Sequence, residues 1–283
     1  MQAKMNSNQI KEYYTAVHRI NLSRNPEDEV APVIDPGSSR LANTLVDFAH
    51  RMGMKRALGY LGTHGKLVAG VQVLDLGCGR GRWVVEYASR GATVTGVDIS
   101  PDAINWLSSR MPSHNFICAA IDKLALPNER FDVVNCVTVL QHMPEEEQRA
   151  ALIAVGKCLK IGGYLVMLEN TKDYSSTHVF PHTSNEWVGM VEEAGLTFCH
   201  AWGSNFEQPL RAIARIRKRF LSRAKTGTPP DGAAWPPLTR TGMRLVKSIT
   251  KDLAALVSFP VEWICQYLPI ARPSHTVMIF EKR

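Results

Sequence analysis

Three aspartates stand at the ends of, or just after, apolar runs: Asp75, Asp98 and Asp122. Asp75 closes Val71–Asp75 and leads into Gly77, Gly79 and Gly81, within Val-Gln-Val-Leu-Asp-Leu-Gly-Cys-Gly-Arg-Gly-Arg-Trp. Glycines without a Cβ let the main chain come close to a bound ligand. The spacing narrows which ligand. A dinucleotide turn, Gly-x-Gly-x-x-Gly, needs its third glycine at position 82, which is Arg82. The Gly-Lys-Ser/Thr of a phosphate loop is also missing. An acid two positions before the first glycine repels a pyrophosphate and suits an ammonium or a sulfonium.

The elements that must position these groups follow from periodicity. Short apolar runs near 71–75, 93–98, 115–119, 131–137 and 163–169 read as strands, and helical spacing fits 82–90, 101–110 and 145–160 between them. Such alternation calls for a parallel sheet with helices on both faces, and ligands on such sheets bind beyond the carboxyl ends of the strands. Ser184–Gly195 continues as a helix, Thr197–Trp202 as a sixth strand and Thr276–Glu281 as the closing one.

The glycine run resembles the first motif of the class I S-adenosylmethionine-dependent methyltransferases. Other stretches agree with that family: Asp98 23 positions after Asp75, Asp122 followed by Leu126-Pro127, Phe131-Asp132-Val133-Val134, and the turn Leu159-Lys160-Ile161-Gly162-Gly163, where Ile161 replaces the usual proline. The resemblance covers roughly residues 71–170. It implies a seven-stranded, mostly parallel, doubly wound α/β sheet with an antiparallel last strand. It also implies S-adenosylmethionine as cofactor, held by Asp75, Gly77, Cys78, Gly79, Gly81, Asp98, Ile99, Ile121, Asp122 and Val137. Asp98 would take both ribose hydroxyls, Ile99 would pack on the adenine face, and Asp122 would accept from its amino group. The bland alternative for Asp98 is an acid at a helix N-terminus; Ser100-Pro101 already supplies a cap and first turn there. Asp132 begins its strand, at the end away from the site, and reads as structural.

Methyl transfer to a hydroxyl needs alignment, exclusion of water and removal of a proton. The base candidate is His142, in Leu140-Gln141-His142-Met143-Pro144 just after the fourth strand, with a pKa of about 6.5 when unperturbed; orienting the turn is its other reading. Glu169, His178 and His182 are weaker base candidates, and these three, with Gln141 of the same turn, are also expected substrate contacts. Helical patterns at Asn8–Ile20 and Ser38–Leu61 make residues 1–70 an expected N-terminal lid, with Tyr13, Tyr14 and His18 as substrate contacts. Ordinary packing is the competing reading for each.

Residues 71–202 with 273–283 form the expected core, and 203–272 an insertion or cap where the family has a short hairpin loop. Basic residues 211–225 alternate with Leu210, Ile213, Ile216, Phe220 and Leu221, and Trp263 and Tyr267 follow in an apolar stretch. Residues 209–270 thus suit a lipid-like acceptor or a membrane surface, against a cap packed on the core.

The chain has 283 residues, 45% hydrophobic and 21% charged, with a net charge of +7. These values describe a globular protein and raise anionic partners. Nucleic acid is disfavoured: no aromatic series interleaves with the basic residues, and Asn135-Cys136-Val137-Thr138 lacks the Asn/Asp-Pro-Pro-Tyr/Phe pattern. The six cysteines form no Cys-x-x-Cys pair, so neither a disulfide framework nor a metal site is expected. Without an apolar leader or a spanning run, the expected place is cytoplasmic, with a membrane-peripheral position as the extension. The expected activity is methyl transfer to a small-molecule acceptor, an oxygen first, on a lipid-linked, glycan-linked or natural-product intermediate. A nucleic-acid methyltransferase and a silent cofactor-binding module are the alternatives.

Overall fold

The computed structural model describes residues 3–24, 40–171, 176–204, 256, 259–260, 263–265 and 273–283. Its centre is β1 (Gln72–Leu76), whose Val73, Leu74 and Leu76 are buried because the sheet is covered on both faces. The chain continues through α3 (Arg82–Ala88), β2 (Thr93–Asp98), α4 (Pro101–Arg110) and β3 (Asn115–Cys118). Next come β4 (Phe131–Val137), α5 (Glu145–Cys158), β5 (Leu159–Asn170), α6 (Ser184–Glu193), β6 (Thr197–Ser204) and β7 (His275–Glu281). The seven strands lie in the order β3-β2-β1-β4-β5-β7-β6. β1 to β5 run parallel, and β7 is antiparallel to both β5 and β6. The expected sheet and its antiparallel last strand are therefore present. The strand order reverses between β2-β1 and β1-β4, which opens a crevice at the carboxyl ends of β1 and β4.

Two helices precede the sheet, α1 (Ser7–Arg24) and α2 (Arg40–Thr63). They do different things. α2 packs Met54, Ala57, Leu58 and Leu61 into the core on the same face as α3 and α4. Burying Met54 and each leucine contributes about 1.5–3 kcal/mol, so α2 is part of the core layer and not of a lid. Its approach is close: a Cβ at Gly53 would lie 2.9 Å from Val277 Cγ2. α5 and α6 pack on the opposite face, around Leu152, Val155, Trp187 and Val191. α1 alone crosses the strand ends.

Local sequence sets the boundaries. Ser100 caps α4, its Oγ accepting from the Ala103 N–H at 3.4 Å, with Pro101 in the first turn as expected. Thr183 and Glu186 form a capping box on α6. Asp132 is structural, as read: its Oδ2 accepts from the Gln72 N–H at 2.9 Å and from Lys160 Nζ at 2.8 Å. Those partners hold its carboxyl below the ordinary value against the opposing effect of burial. The turn expected before the fifth strand is instead inside it. β5 begins at Leu159, and the Phe131–Leu159 and Val133–Tyr164 pairs bracket a bulge that contains Gly162 at φ 69°.

Most of the 203–272 insertion, with its basic stretch, lies outside the described residues. In its described part Phe259 packs on Phe48 of α2, with ring centroids 5.1 Å apart. Among the described residues no helix is long and apolar enough to cross a membrane, and no cluster of metal-ligating side chains occurs.

Candidate active site

A cavity of about 420 Å³ opens at the carboxyl ends of β1, β2 and β4 under α1. Gly77, Cys78, Gly79, Asp98, Ile99, Ile121, Asp122 and Val137 line it, together with His142, Tyr14 and His18. These residues were singled out separately along 129 positions of chain, and the tertiary fold brings them around one space. Asp75, Gly81, Tyr13, Gln141, Glu169, His178 and His182 do not line it.

The glycine turn is shaped by packing as much as by any ligand. Gly77, Gly79 and Gly81 all have left-handed backbones, at φ 66°, 51° and 82°. A Cβ on Gly77 would lie 2.2 Å from Val139 Cγ2, and one on Gly81 would lie 2.5 Å from Leu107 Cδ2. Gly81 is thus the entry to α3, making room for α4, and it does not line the cavity. Gly77→Ala should destabilise the fold by about 2–4 kcal/mol, through left-handed strain plus overpacking against Val139. Thermal unfolding checks this, with Gly59→Ala, which meets nothing within 4 Å, as the mild control.

Asp98 is buried and already engaged. Its Oδ2 accepts from the Gly79 N–H at 2.9 Å, and its Oδ1 accepts from the Ser100 N–H at 2.8 Å. It therefore serves the helix entry and lines the cavity at once, which unites the two readings offered for it. His18 of α1 reaches toward it, Nε2 to Oδ1 at 3.9 Å, and burial lowers the His18 pKa.

Asp75 sits one layer beneath, within β1 rather than at its end. Its Oδ1 accepts from Asn135 Nδ2 at 2.6 Å, and its buried Oδ2 has no partner among the described residues. Burial raises its pKa to about 7, against the bond from Asn135. An unpaired carboxylate oxygen below the glycine turn is a place where a cation could be met. Asn135 itself is held by Tyr87, whose hydroxyl donates to Asn135 Oδ1 at 3.3 Å.

The turn after β4 is organised by Glu169. The Val139 and Leu140 N–H groups donate to its Oε1 at 3.1 and 3.0 Å, and the Gln141 N–H donates to its Oε2 at 3.1 Å. Glu169 is fully buried, and burial raises its pKa to about 7. It clamps the turn from below and does not line the cavity.

A chain of hydrogen bonds also decides the state of His142. The Asn170 N–H donates to Gln141 Oε1 at 2.7 Å, so the Gln141 amide nitrogen faces His142 Nε2 at 3.1 Å. His142 Nδ1 lies 2.9 Å from the His178 carbonyl oxygen and must donate to it. The ring is therefore neutral, with its one lone pair already taken by Gln141. Burial lowers its pKa to about 4. His142 lines the cavity, but with that pKa and that partner it is a poor proton acceptor.

α1 lies over this end. Tyr14 packs on His142 with centroids 5.1 Å apart, and Tyr13 stacks on His178 at 4.9 Å, outside the cavity. Met5 N–H donates to the Thr177 carbonyl at 2.7 Å, Lys4 Nζ donates to the Ser176 carbonyl at 2.9 Å, and Ser7 Oγ bonds Glu147. His182 is turned away, with Nε2 2.7 Å from Gln148 Oε1 and its ring edge-on to Trp187. Packing accounts for Tyr13, His178 and His182.

Other lining residues gave no signal in the sequence. Arg80 is buried with its guanidinium 4.5 Å from the Trp106 ring, and Arg82 reaches Asp47 of α2, Nε to Oδ1 at 2.8 Å. Thr138 lines the cavity with φ 56°. Arginines beside a glycine turn and a threonine ending a strand are unremarkable as sequence. Only the packing and the backbone angle mark them.

Residues 73–163 match the model of a methyltransferase domain. They form a class I S-adenosylmethionine-dependent methyltransferase domain. Two stretches of curated relatives agree. A ubiquinone biosynthesis O-methyltransferase of Idiomarina loihiensis is 37% identical over 113 residues, 38% of this chain and 45% of that protein. One from Coxiella burnetii is 37% identical over 95 residues, 31% of this chain and 41% of that protein. The chain thus spans less than half the length of these relatives. Among solved structures, the magnesium protoporphyrin IX methyltransferase of Synechocystis with bound S-adenosylhomocysteine matches at TM-score 0.57 and 18% identity. That match covers 71% of this chain and 94% of the other. The cyclase SpnF matches at TM-score 0.58 and 15% identity over 100% and 98%. At such identities the likeness is one of fold. A cyclase on the same fold also shows that a methyltransferase domain must be read from its site.

Proposed function

We propose that this chain binds S-adenosylmethionine in the cavity under α1 and transfers its methyl group to an oxygen of a small, largely apolar acceptor. The observation that carries this reading is the meeting of Gly77–Gly79, Asp98, Ile99, Ile121 and Asp122 around one cavity with Tyr14, His142 and Met143. The first set suits the glycine turn, ribose and adenine contacts of the cofactor. The second offers an apolar, aromatic wall to the acceptor. The partial match to O-methyltransferases favours oxygen over nitrogen or carbon.

S-adenosylmethionine supplies an electrophilic methyl on a sulfonium. In the reaction an oxygen lone pair forms the C–O bond while the C–S pair returns to sulfur, and the acceptor's proton passes to water. The protein's part is alignment and exclusion of solvent, with α1 tied down across the cavity. Neutral His142 shapes the wall.

Calorimetry with S-adenosylmethionine and S-adenosylhomocysteine tests the reading. Micromolar binding of both supports it, and no binding by folded protein removes it.

The buried Asp75 adds a sign to that measurement. Its raised pKa means that at pH 6 the free protein holds it mostly protonated. The ammonium of the cofactor favours the carboxylate, so binding below pH 7 should release a proton. Affinity should then rise about tenfold between pH 6 and pH 8 and level off above. Titrations in buffers of different ionisation enthalpy check the proton release, and an affinity independent of pH would separate Asp75 from the ammonium.

A further inference from the structure

α1 covers the end of the cavity where a ribose would meet Asp98. Asp98 is 6% exposed, and His18 of α1, 5% exposed, lies beside it. The His18 ring also sits on the glycine turn: a Cβ at Gly79 would lie 3.3 Å from its Cε1. The 3.9 Å between His18 Nε2 and Asp98 Oδ1 is too long for a hydrogen bond. His18 Nδ1 is buried with no hydrogen-bond partner among the described residues. His18 thus screens Asp98 from solvent without being bonded to it.

The helix is shallowly seated. Among its described residues the buried apolar side chains are Ile10 and Val17, whereas α2 sinks Met54, Ala57, Leu58 and Leu61. An element with few buried apolar contacts opens at low free-energy cost. What holds α1 is polar and lies at its N-terminal end. Lys4 Nζ donates to the Ser176 carbonyl at 2.9 Å and to the Val179 carbonyl, and stands 4.7 Å from the centre of the Phe180 ring. The Met5 N–H donates to the Thr177 carbonyl at 2.7 Å. The loop that receives these bonds is itself fixed. The Phe180 N–H donates to the Gln141 carbonyl at 2.6 Å, and Gln148 Nε2 donates to the Phe180 carbonyl at 3.2 Å. At the other end Arg19 meets Asp102 with 71% of its side chain exposed, and such a pair contributes little.

We propose that α1 is a gate on cofactor exchange, with Lys4 as its latch. The helix must lift from Asp98 each time S-adenosylmethionine enters and each time S-adenosylhomocysteine leaves. This rests on the methyltransferase reading. Lys4 and Met5 do not line the cavity. They therefore steady the shut position to the same extent whether the cavity is filled or empty. Weakening the latch speeds entry and exit by one common factor and leaves their ratio, the affinity, unchanged. Lid opening of this kind sets the turnover of many enzymes.

The test uses the full chain and S-adenosylhomocysteine, with Lys4→Met and Lys4→Arg beside the wild type. Stopped-flow tryptophan fluorescence follows entry and exit, since Trp83 lines the cavity. Methionine keeps the apolar stem and loses the charge. Both rate constants should rise about fivefold or more, with Kd within about twofold of the wild type and thermal unfolding unchanged. Arginine, which keeps the cation, should stay within about twofold of the wild-type rates. Met5→Pro, which removes the N–H given to Thr177, should reproduce the methionine result. Hydrogen exchange of the amides from Ile10 to His18 should quicken in Lys4→Met as well. Equal rate constants in wild type and Lys4→Met overturn the gate and leave the methyltransferase reading intact. So does a Lys4→Met variant that loses affinity in proportion to a faster exit, because Lys4 then belongs to the binding site. A wild type that binds no S-adenosylhomocysteine removes the methyltransferase reading, and the gate with it.

Discussion

Replacing Asp98 by alanine should weaken S-adenosylhomocysteine binding by roughly 100-fold or more. Two losses combine. The carboxylate offered to the ribose hydroxyls disappears, and bonds to a charged acceptor are worth about 1.5–3 kcal/mol each. The Gly79 and Ser100 N–H groups also lose their acceptor, so the turn that must meet the cofactor loses its shape. Asp98→Asn separates the two. It keeps one oxygen and the volume, and should lose about tenfold. Calorimetry reads both affinities, and thermal unfolding reads how much of the alanine effect is structural. An alanine variant that binds as tightly as the wild type would sink the ribose assignment.

Glu169→Ala should cost about 3–5 kcal/mol of stability, the largest loss expected from one side chain of the site. The main-chain N–H groups of Val139, Leu140 and Gln141 would be left without their acceptor in a buried turn. A variant melting within a degree or so of the wild type would show that water replaces the carboxylate. Methyl transfer should fall further than the remaining folded fraction explains, because the same turn carries Thr138 and His142.

Glu169→Gln adds a pH signature. The folded pKa of Glu169, about 7, lies above the ordinary 4.5. Over that window the folded chain holds a proton that the unfolded chain has released. The stabilisation linked to Glu169 is therefore fully present below pH 4.5 and is lost as pH rises through about 7. The gap in unfolding free energy between wild type and Glu169→Gln should narrow across that range. Taking the difference cancels His142, whose lowered pKa gives a pH dependence of opposite sign.

How far the site was legible differs from residue to residue. Gly77, Gly79, Asp98 and Asp122 could be placed around one end of the sheet because each lies at a strand end or within a few residues after it, and strand ends are visible as breaks in an apolar pattern. Asp132 could be read for the same reason, from the other end of its strand. In the sequence Glu169 is only a polar group near a strand end. The hydrogen bonds that consume it come from residues 28 to 30 positions earlier, and no local pattern carries them. The same holds for His142, whose lone pair is removed by a glutamine whose own orientation is decided by the N–H of Asn170.

The N-terminal helices make the contrast plainest. Both have helical spacing and both lie before the sheet, so the sequence treats them alike. Tertiary packing separates them: Met54, Ala57, Leu58 and Leu61 of α2 enter the core, and α1 crosses the cavity with Tyr14 and His18 facing in. Periodicity states that a face is apolar and is silent on what covers it.

By itself, then, the sequence determined the alternation of strands and helices, the glycine turn and the acids at the strand ends. Each of these is a local consequence of residue size, polarity and spacing. The tertiary structure alone decided which polar groups remain available to a ligand. Hydrogen bonds are saturable: Glu169 is spent on N–H groups 28 to 30 positions away, and the His142 lone pair on a neighbouring glutamine that the Asn170 N–H orients.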